Sequence, residues 1–332
     1  MPCLRFAVDS VLAQSFDDWE LIVVDDGSTD ATSAYLDSIR DPRLRHIRIE
    51  HTGLPAKARN EGLARARGEY LAFLDSDDLW QPRKLERQLA ALRARPDARW
   101  SYTDVNFIDA ASALLPRDRF AETRPRSGWI VERLLAHETV VACPTVVAER
   151  RLVEEVGGFD ESLPMSEDFD LWLRLAVRSP AVALRERLVD FRQHRSYSRG
   201  RPEIAACMIR IYDRFARSTR VERWRRVSRS QRAMYRVRLA NVLLSRGERA
   251  RAFNVLRRAI VRRPHDAAVW KAVIRFAISG RVPRRLGRMA APLLRPIAGR
   301  ESRFWRVIRS PRLRRLAFRD PIDCIVYGLL IS

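Results

Sequence analysis

Two short apolar runs each end in a cluster of carboxylates, and this feature narrows the folds open to the chain more than any other. Leu21-Ile22-Val23-Val24 leads into Asp25-Asp26-Gly27-Ser28-Thr29-Asp30, and Tyr70-Leu71-Ala72-Phe73-Leu74 leads into Asp75-Ser76-Asp77-Asp78. Continuous apolar runs of this length, bounded by turn residues, fit strands covered on both faces, as in a parallel sheet. Ligands of open α/β sheets lie beyond the carboxyl ends of the strands. As parallel neighbours, the two runs would gather about five to seven carboxylates at one such edge. Like charges so crowded call for protons or a cation. All-oxygen donors of this kind suit Mg²⁺ or Mn²⁺, held by one or two carboxylates together with substrate phosphates. A metal-assisted site for a phosphorylated substrate follows; the plainer alternative is that Asp77 and Asp78 cap the next helix.

The rest of the N-terminal part alternates strand and helix. Helical spacing of Leu4, Val8, Val11 and Leu12 predicts a helix over 4–16, followed by a strand at 20–24. A helix over 31–40, capped by Thr29 or Asp30, a strand over 44–49 and a helix over 55–67 come next. After the strand at 70–74, a helix over 82–95 and a strand over 100–108 complete the pattern. The expectation is an α/β fold over 1–200, a mainly parallel sheet flanked by helices. From residue 201 only helical stripes remain, over 203–217, 229–246, 249–263 and 266–279. Gly247, Ala252, Leu256, Ala259 and Pro264 stand at the spacings of one tetratricopeptide-like hairpin, so 201–332 reads as an all-α region.

Charge divides at the same place. Residues 201–332 carry 34 basic and 8 acidic side chains, +26, whereas 1–200 carry 29 and 33, −4, which together give the net +22. Such asymmetry marks a region with a polyanionic neighbour, or a composition bias, since only Lys57, Lys84 and Lys271 among the basic residues are lysines. No nucleic-acid reading motif is present and aromatics are not interleaved as stacking platforms. An anionic membrane face therefore suits the arginine-rich helices, Phe304-Trp305 and the apolar 325–331 better than nucleic acid does. Cys3, Cys143, Cys207 and Cys324 are scattered, which fits a reducing compartment. No signal pattern or membrane-length apolar run occurs, and the expected location is cytoplasmic, attached peripherally to the inner face of the cell membrane.

Five ordered blocks carry a resemblance. Ser10-Val11-Leu12-Ala13-Gln14-Ser15-Phe16 with Trp19–Asp30 is followed by Ala58-Arg59-Asn60-Glu61-Gly62 and by Gly68–Asp78. Gly157-Gly158-Phe159-Asp160-Glu161 and Ser166-Glu167-Asp168-Phe169-Asp170-Leu171-Trp172-Leu173-Arg174 come later. Over about residues 4–200 the chain resembles the family 2 glycosyltransferases, which use the nucleotide-sugar fold termed GT-A. Family members begin with a further strand that supplies a Pro and an Asn to the nucleotide base. Here Met1-Pro2-Cys3 stands almost on the first helix, so the resemblance implies a missing or reduced strand, through a misplaced start or a truncated copy.

The resemblance also implies roles. Asp25 or Asp26 would read the base, Asp75 the ribose, and Asp77 would ligate the Mn²⁺ or Mg²⁺ that bridges the diphosphate. Arg59 would meet the diphosphate through its planar fork. Asp168 would be the base that takes a proton from the acceptor hydroxyl, with Asp170 as the alternative base and Glu167 as a further candidate. Arg192 and His194 are further candidates for the diphosphate or metal. The Gly157–Gly158 turn would let backbone approach a ligand or simply turn the chain. The implied activity is an inverting, metal-dependent transfer from a nucleotide-sugar donor to a carbohydrate or lipid-linked hydroxyl in cell-surface polysaccharide or glycolipid synthesis. Two other readings stand beside it: a non-catalytic remnant left by the short N-terminus, and a basic helical module that binds anionic membrane or nucleic acid.

Overall fold

A computed structural model of the protein describes residues 2–116, 125–193 and 201–262, and its contacts divide the chain into two units between residues 199 and 200. The first unit opens with α1 (Pro2–Leu12), β1 (Leu21–Asp25), α2 (Thr32–Ser38), β2 (Leu44–Arg48) and α3 (Pro55–Leu63). It continues through β3 (Tyr70–Ala72), β4 (Leu79–Trp80), α4 (Lys84–Arg93), β5 (Trp100–Ile108) and β6 (Leu114–Leu115). It ends with α5 (Val131–Ala136), β7 (Val147–Glu149), α6 (Arg150–Glu155), α7 (Glu167–Arg178) and β8 (Ala181–Arg192). The second unit contains α8 (Pro202–Ser218), α9 (Glu222–Ser245) and α10 (Arg249–Arg262).

The sheet is mixed, where the sequence pattern predicts a mainly parallel one. β1 and β2 pair in parallel from Leu21 opposite Leu44 to Asp25 opposite Arg48. A second sheet runs β3-β7-β5-β8-β4, with β6 beside β5. Within it only β5 and β8 are parallel, and β7, β6 and β4 pair antiparallel with their neighbours. The two acidic strands are therefore not hydrogen-bonded neighbours. β3 spends its ladder on β7, and the Arg150 N–H extends that antiparallel pairing to the Glu69 carbonyl. A helix links the two strands instead. α3 lies over β1, with Gly62 close to Val24, and its Arg59 reaches the end of β3.

Packing explains α7 and the central strands. α7 carries Leu171, Trp172, Leu173, Leu175 and Ala176 at essentially no exposure, as its apolar spacing predicts. Trp172 stacks on Trp100 of β5 with ring centroids 6.4 Å apart, and Phe73 and Phe159 meet it from the side. This aromatic core fixes the start of α7 against the end of β3. In the helical unit Val237, Ala240, Leu243, Ala252, Leu256 and Ala259 form one buried seam between α9 and α10. α9 and α10 thus pack along the small residues of this seam; Pro264, 266–279, Phe304-Trp305 and 325–331 lie outside the described residues. No described helix is long and apolar enough to cross a membrane.

One cation is misplaced by ordinary rules. Lys84, the first residue of α4, is fully buried; its Nζ lies 4.2 Å from the centre of the Trp80 ring and has no hydrogen-bond partner. Burial pushes this amine down to about 7. The folded-state value lies below that of the unfolded chain, so the unfolded chain binds more protons between pH 7 and the ordinary lysine range. The cost of Lys84 is therefore complete below pH 7 and fades as pH rises toward 10. Lys84→Met should raise the unfolding free energy by about 3–5 kcal/mol at pH 6 and by much less at pH 10. Denaturant titrations of both proteins at the two pH values check this; a pH-independent difference would remove the ionic explanation.

Candidate active site

The first acidic turn is braced by its own loops. Asp25 Oδ1 accepts the Ser28 N–H at 2.8 Å and Oδ2 accepts the Ser33 hydroxyl at 2.8 Å. Arg48 donates to the Ser33 hydroxyl at 3.0 Å and to the Ser28 carbonyl at 2.9 Å, which closes the ring. Burial works to raise the Asp25 carboxyl, but the Ser28 and Ser33 contacts and the Arg48 charge outweigh it and hold the group below its ordinary range. Asp26 Oδ1 accepts the Thr52 N–H at 2.8 Å and its hydroxyl at 3.0 Å, while Oδ2 accepts the Gly53 N–H at 2.8 Å. Gly27 has φ +76° and a Cβ there would lie 2.8 Å from that of His51, so this turn requires glycine. Asp30 accepts the Thr32 N–H at 3.0 Å, but the residue at the N-cap of α2 is Ala31, so neither Thr29 nor Asp30 occupies the cap position expected of them.

The second acidic turn is built differently. Asp75 and Asp78 are each 1% exposed, whereas Asp77 between them is half-buried and reaches solvent. Asp78 Oδ1 accepts the Arg192 backbone N–H at 2.7 Å, and β4 stands between it and α4. The helix-cap reading of Asp78 is therefore corrected: it ties this turn to the end of β8. Burial, then the neighbouring charges of Asp77 and Asp75, pushes Asp78 well above the carboxylate range. The Arg192 guanidinium spends Nε on the Asp77 carbonyl at 2.8 Å, one terminal nitrogen on the Asp109 carbonyl at 2.7 Å and the other on the Ser112 hydroxyl at 3.0 Å. Arg192 is thus a clamp on the backbone behind Asp77.

The first turn of α7 completes the set. Glu167, Asp168 and Asp170 are 3, 2 and 3% exposed, a burial that three carboxylates tolerate only with partners. Arg59 provides one partnership, donating to Glu167 at 2.5 Å and to Asp75 at 2.6 Å. Burial opposes charge on Arg59, but Asp75, Glu167 and Asp168 outweigh it and raise the guanidinium further. Arg174 provides another, donating to Asp170 at 2.9 Å. Asp168 has no such ion pair: Oδ1 takes the Phe169 N–H at 2.7 Å, and the buried Oδ2 has no hydrogen-bond partner. Burial and then the Glu167 charge push Asp168 well above the carboxylate range. Ser166, which precedes the helix with φ +61°, holds a left-handed conformation uncommon for serine and sets the angle at which these carboxylates enter.

The structure therefore brings Arg59, Asp75, Glu167 and Asp168 into one cluster, with Asp77, Asp78 and Arg192 continuing from Asp75 and Asp170 following on α7. Asp25 and Asp26 form a separate turn at the end of β1. His194 lies outside the described residues. Sequence reasoning did not find the Thr52–Gly53 cradle of Asp26 or the function of Asn60. The Asn60 side chain donates to the Phe159 carbonyl at 2.9 Å and to Glu161 at 2.8 Å, and accepts the Phe159 N–H at 2.9 Å. The backbone approach predicted at Gly157–Gly158 is thus made to Asn60: Gly158 has φ +64°, and a Cβ there would lie 2.9 Å from Asn60 Oδ1. Glycine in both loops was the available signal.

A divalent cation is testable against these donors. Asp75 Oδ2 and Asp78 Oδ2 are, like Asp168 Oδ2, buried carboxylate oxygens without a hydrogen-bond partner. Among the described residues no three His, Cys, Asp or Glu side chains converge to hold a metal by themselves. A hard-oxygen set with an open valence and a half-buried neighbour, Asp77, would fit Mg²⁺ or Mn²⁺ together with phosphate oxygens.

Comparison with known proteins bears on what this cluster serves. The profile of glycosyl transferase family 2 matches residues 2–150. The Bacillus subtilis glycosyltransferase TuaG, named for teichuronic acid biosynthesis, is 36% identical over 189 residues, 56% of this chain and 71% of its own. An Escherichia coli enzyme, UDP-Glc:alpha-D-GlcNAc-diphosphoundecaprenol beta-1,3-glucosyltransferase, is 31% identical over 169 residues, 51% of this chain and 62% of its own. Among solved structures, S. aureus TarS in complex with UDP-GlcNAc superposes with a TM-score of 0.56 at 18% identity, over 82% of this chain and 79% of that one. The Pyrobaculum calidifontis mannosyltransferase PcManGT in complex with GDP-Man and Mn²⁺ gives 0.55 at 18% identity, over 88% and 81%. The two structures share the fold, the family profile matches residues 2–150, and TuaG is 36% identical over 71% of its own length: the chain belongs to glycosyl transferase family 2 and is a glycosyltransferase.

Proposed function

We propose that this glycosyltransferase moves a sugar from a nucleotide-diphosphate donor to a hydroxyl of a carbohydrate or lipid-linked acceptor, by inverting displacement, in cell-surface polysaccharide synthesis. The single observation that carries the chemistry is Asp168. It is a buried carboxylate with an unoccupied oxygen, set among acidic neighbours whose own oxygens are held by Arg59 and Arg174. The relatives named for teichuronic acid biosynthesis and for glucosyl transfer to a diphosphoundecaprenol-linked sugar support the acceptor class. The complexes with UDP-GlcNAc and with GDP-Man and Mn²⁺ support the donor class and a divalent metal.

In this reading Asp168 Oδ2 takes the acceptor hydroxyl proton as that oxygen attacks the anomeric carbon. The bond from that carbon to the diphosphate breaks on the opposite side, and its electron pair leaves with the diphosphate. A raised proton affinity makes Asp168 a better base near neutral pH than an ordinary exposed carboxylate. Glu167 and Asp170 are each engaged by an arginine, Arg59 and Arg174. Arg59 would position Asp75 at the donor ribose rather than grip the diphosphate, because both of its terminal nitrogens are committed to carboxylates. Asp77, with Asp75 beside it, would hold the cation. A bound divalent cation supplies Lewis-acid stabilisation to the departing nucleoside diphosphate. The Asp25–Asp26 turn, stiffened by Ser28, Ser33 and Thr52, would stand at the nucleotide base.

Three measurements test this. Asp168→Asn should lower sugar transfer by at least about a hundredfold, and the low-pH fall of the wild-type kcat/KM should disappear with it. Asp170→Asn, which releases Arg174, should keep that pH limb; loss of the limb in Asp170→Asn rather than Asp168→Asn would move the base. Asp77→Ala should abolish the extra thermal stabilisation that Mn²⁺ gives a UDP- or GDP-bound protein, and an unchanged shift would take the cation away from Asp77. Arg59→Met strands two buried carboxylates, so unfolding free energy should drop by about 3–5 kcal/mol. An equal stability in urea titration would show that the ion network is not structural.

A further inference from the structure

The helical unit contains a cavity that the transfer reaction does not use. It lies between α8 and α9, has a volume of about 450 Å³, and is lined by Asp213, Ala216 and Arg217 from α8 and by Arg229, Arg232 and Arg236 from α9. The spacing explains the convergence: 213, 216 and 217 share one face of α8, and 229, 232 and 236 follow one stripe of α9. Four arginines and one aspartate thus line it. Asp213 is itself ion-paired with both Arg217 and Arg232. Arg232 is 7% exposed, and its Nε is buried with no hydrogen-bond partner.

A structural role alone would not produce this arrangement. A buried guanidinium is costly unless its donors are met, and α9 offers seven arginines against one glutamate along its length. The lining side chains sum to +3 around a hollow that has room for more than water. Planar forks converging on such a hollow match the oxygens of a phosphate, which the Asp213 carboxylate would help to orient by holding Arg217 and Arg232 in place.

We propose that this cavity is a binding site for a phosphate-bearing anion, separate from the transfer site, with Arg232 as its buried anchor and Arg229 and Arg236 as its outer donors. The phosphate could belong to a lipid headgroup or to a soluble phosphorylated compound; the recognising chemistry is the same.

The full chain, in EDTA and at constant ionic strength, is titrated with inorganic phosphate against chloride while hydrogen exchange of α8 and α9 is followed. The wild type should show saturable protection of both helices by phosphate, and Arg229→Gln/Arg236→Gln should require at least tenfold more. These side chains are exposed and half-buried, so the variant should fold; unchanged stabilisation by UDP with Mn²⁺ confirms it. Arg232→Gln should abolish the protection; it also takes one partner from Asp213, so its melting temperature should fall, and the Arg229→Gln/Arg236→Gln variant, which keeps that pair, decides between loss of the site and loss of the fold. Co-sedimentation with phosphatidylcholine vesicles, with and without phosphatidylglycerol, identifies the source. Loss of phosphatidylglycerol binding in the double variant, with competition by phosphate, assigns the site to a headgroup. Vesicle binding equal to wild type, with phosphate protection lost, assigns it to a soluble phosphate. Protection no greater with phosphate than with chloride, or identical in wild type and both variants, overturns the proposal.

Discussion

The contact between Arg59 and the carboxylates of Asp75 and Glu167 is the interaction on which the catalytic unit turns. Asp75 and Glu167 are buried, and either carboxylate would be intolerable without the Arg59 guanidinium, whose side chain is 10% exposed. Their pairing joins three elements that share no strand ladder: α3 over the first sheet, the end of β3 in the second, and the start of α7. Geometry follows from charge here. The guanidinium fork has fixed angles, so the two carboxylates it binds are held at a fixed separation, and Asp168 beside Glu167 inherits that placement. The same division of labour recurs at Asp78 with Arg192 and at Asp170 with Arg174. Asp75, Asp78 and Asp168 nevertheless each keep one buried oxygen without a hydrogen-bond partner.

Much of this was legible in residues 1–200 because local signals were strong there. The β-branched run at 21–24 and the apolar stretch at 100–108 are strands, and the cluster from Glu167 to Leu175 opens a helix with a buried apolar face. Strand direction was not legible. Whether Tyr70–Ala72 pairs with β1 or with β7 depends on residues far along the chain, and a three-residue strand carries no pattern to decide it. β8 shows only its ends, because Arg185, Glu186 and Arg187 interrupt its apolar run on the exposed side. The acidic residues of the site could be named individually, but which of them would be paired could not. Arg59 and Glu167 are 108 positions apart, and only the packing of α3 on α7 brings them together.

The helical unit shows the same electrostatic logic with the opposite sign. In the first unit, arginines are used singly to neutralise acids; in α8 and α9, arginines outnumber acids and one is left buried with an unmet donor. The composition bias toward arginine accounts for their number but not for three of them at 229, 232 and 236 on one stripe facing one cavity. Placement, rather than total charge, distinguishes a site from a solvated surface.

The backbone N–H of Arg192 that secures Asp78 comes from 114 residues further along the chain. A contact closing so long a loop forms late, after its entropic cost has been met by nearer pairings. The acidic turn after β3 therefore takes its working shape only once β8 has docked beside β5. A nascent chain released before that point would carry every aspartate of the turn and none of its geometry.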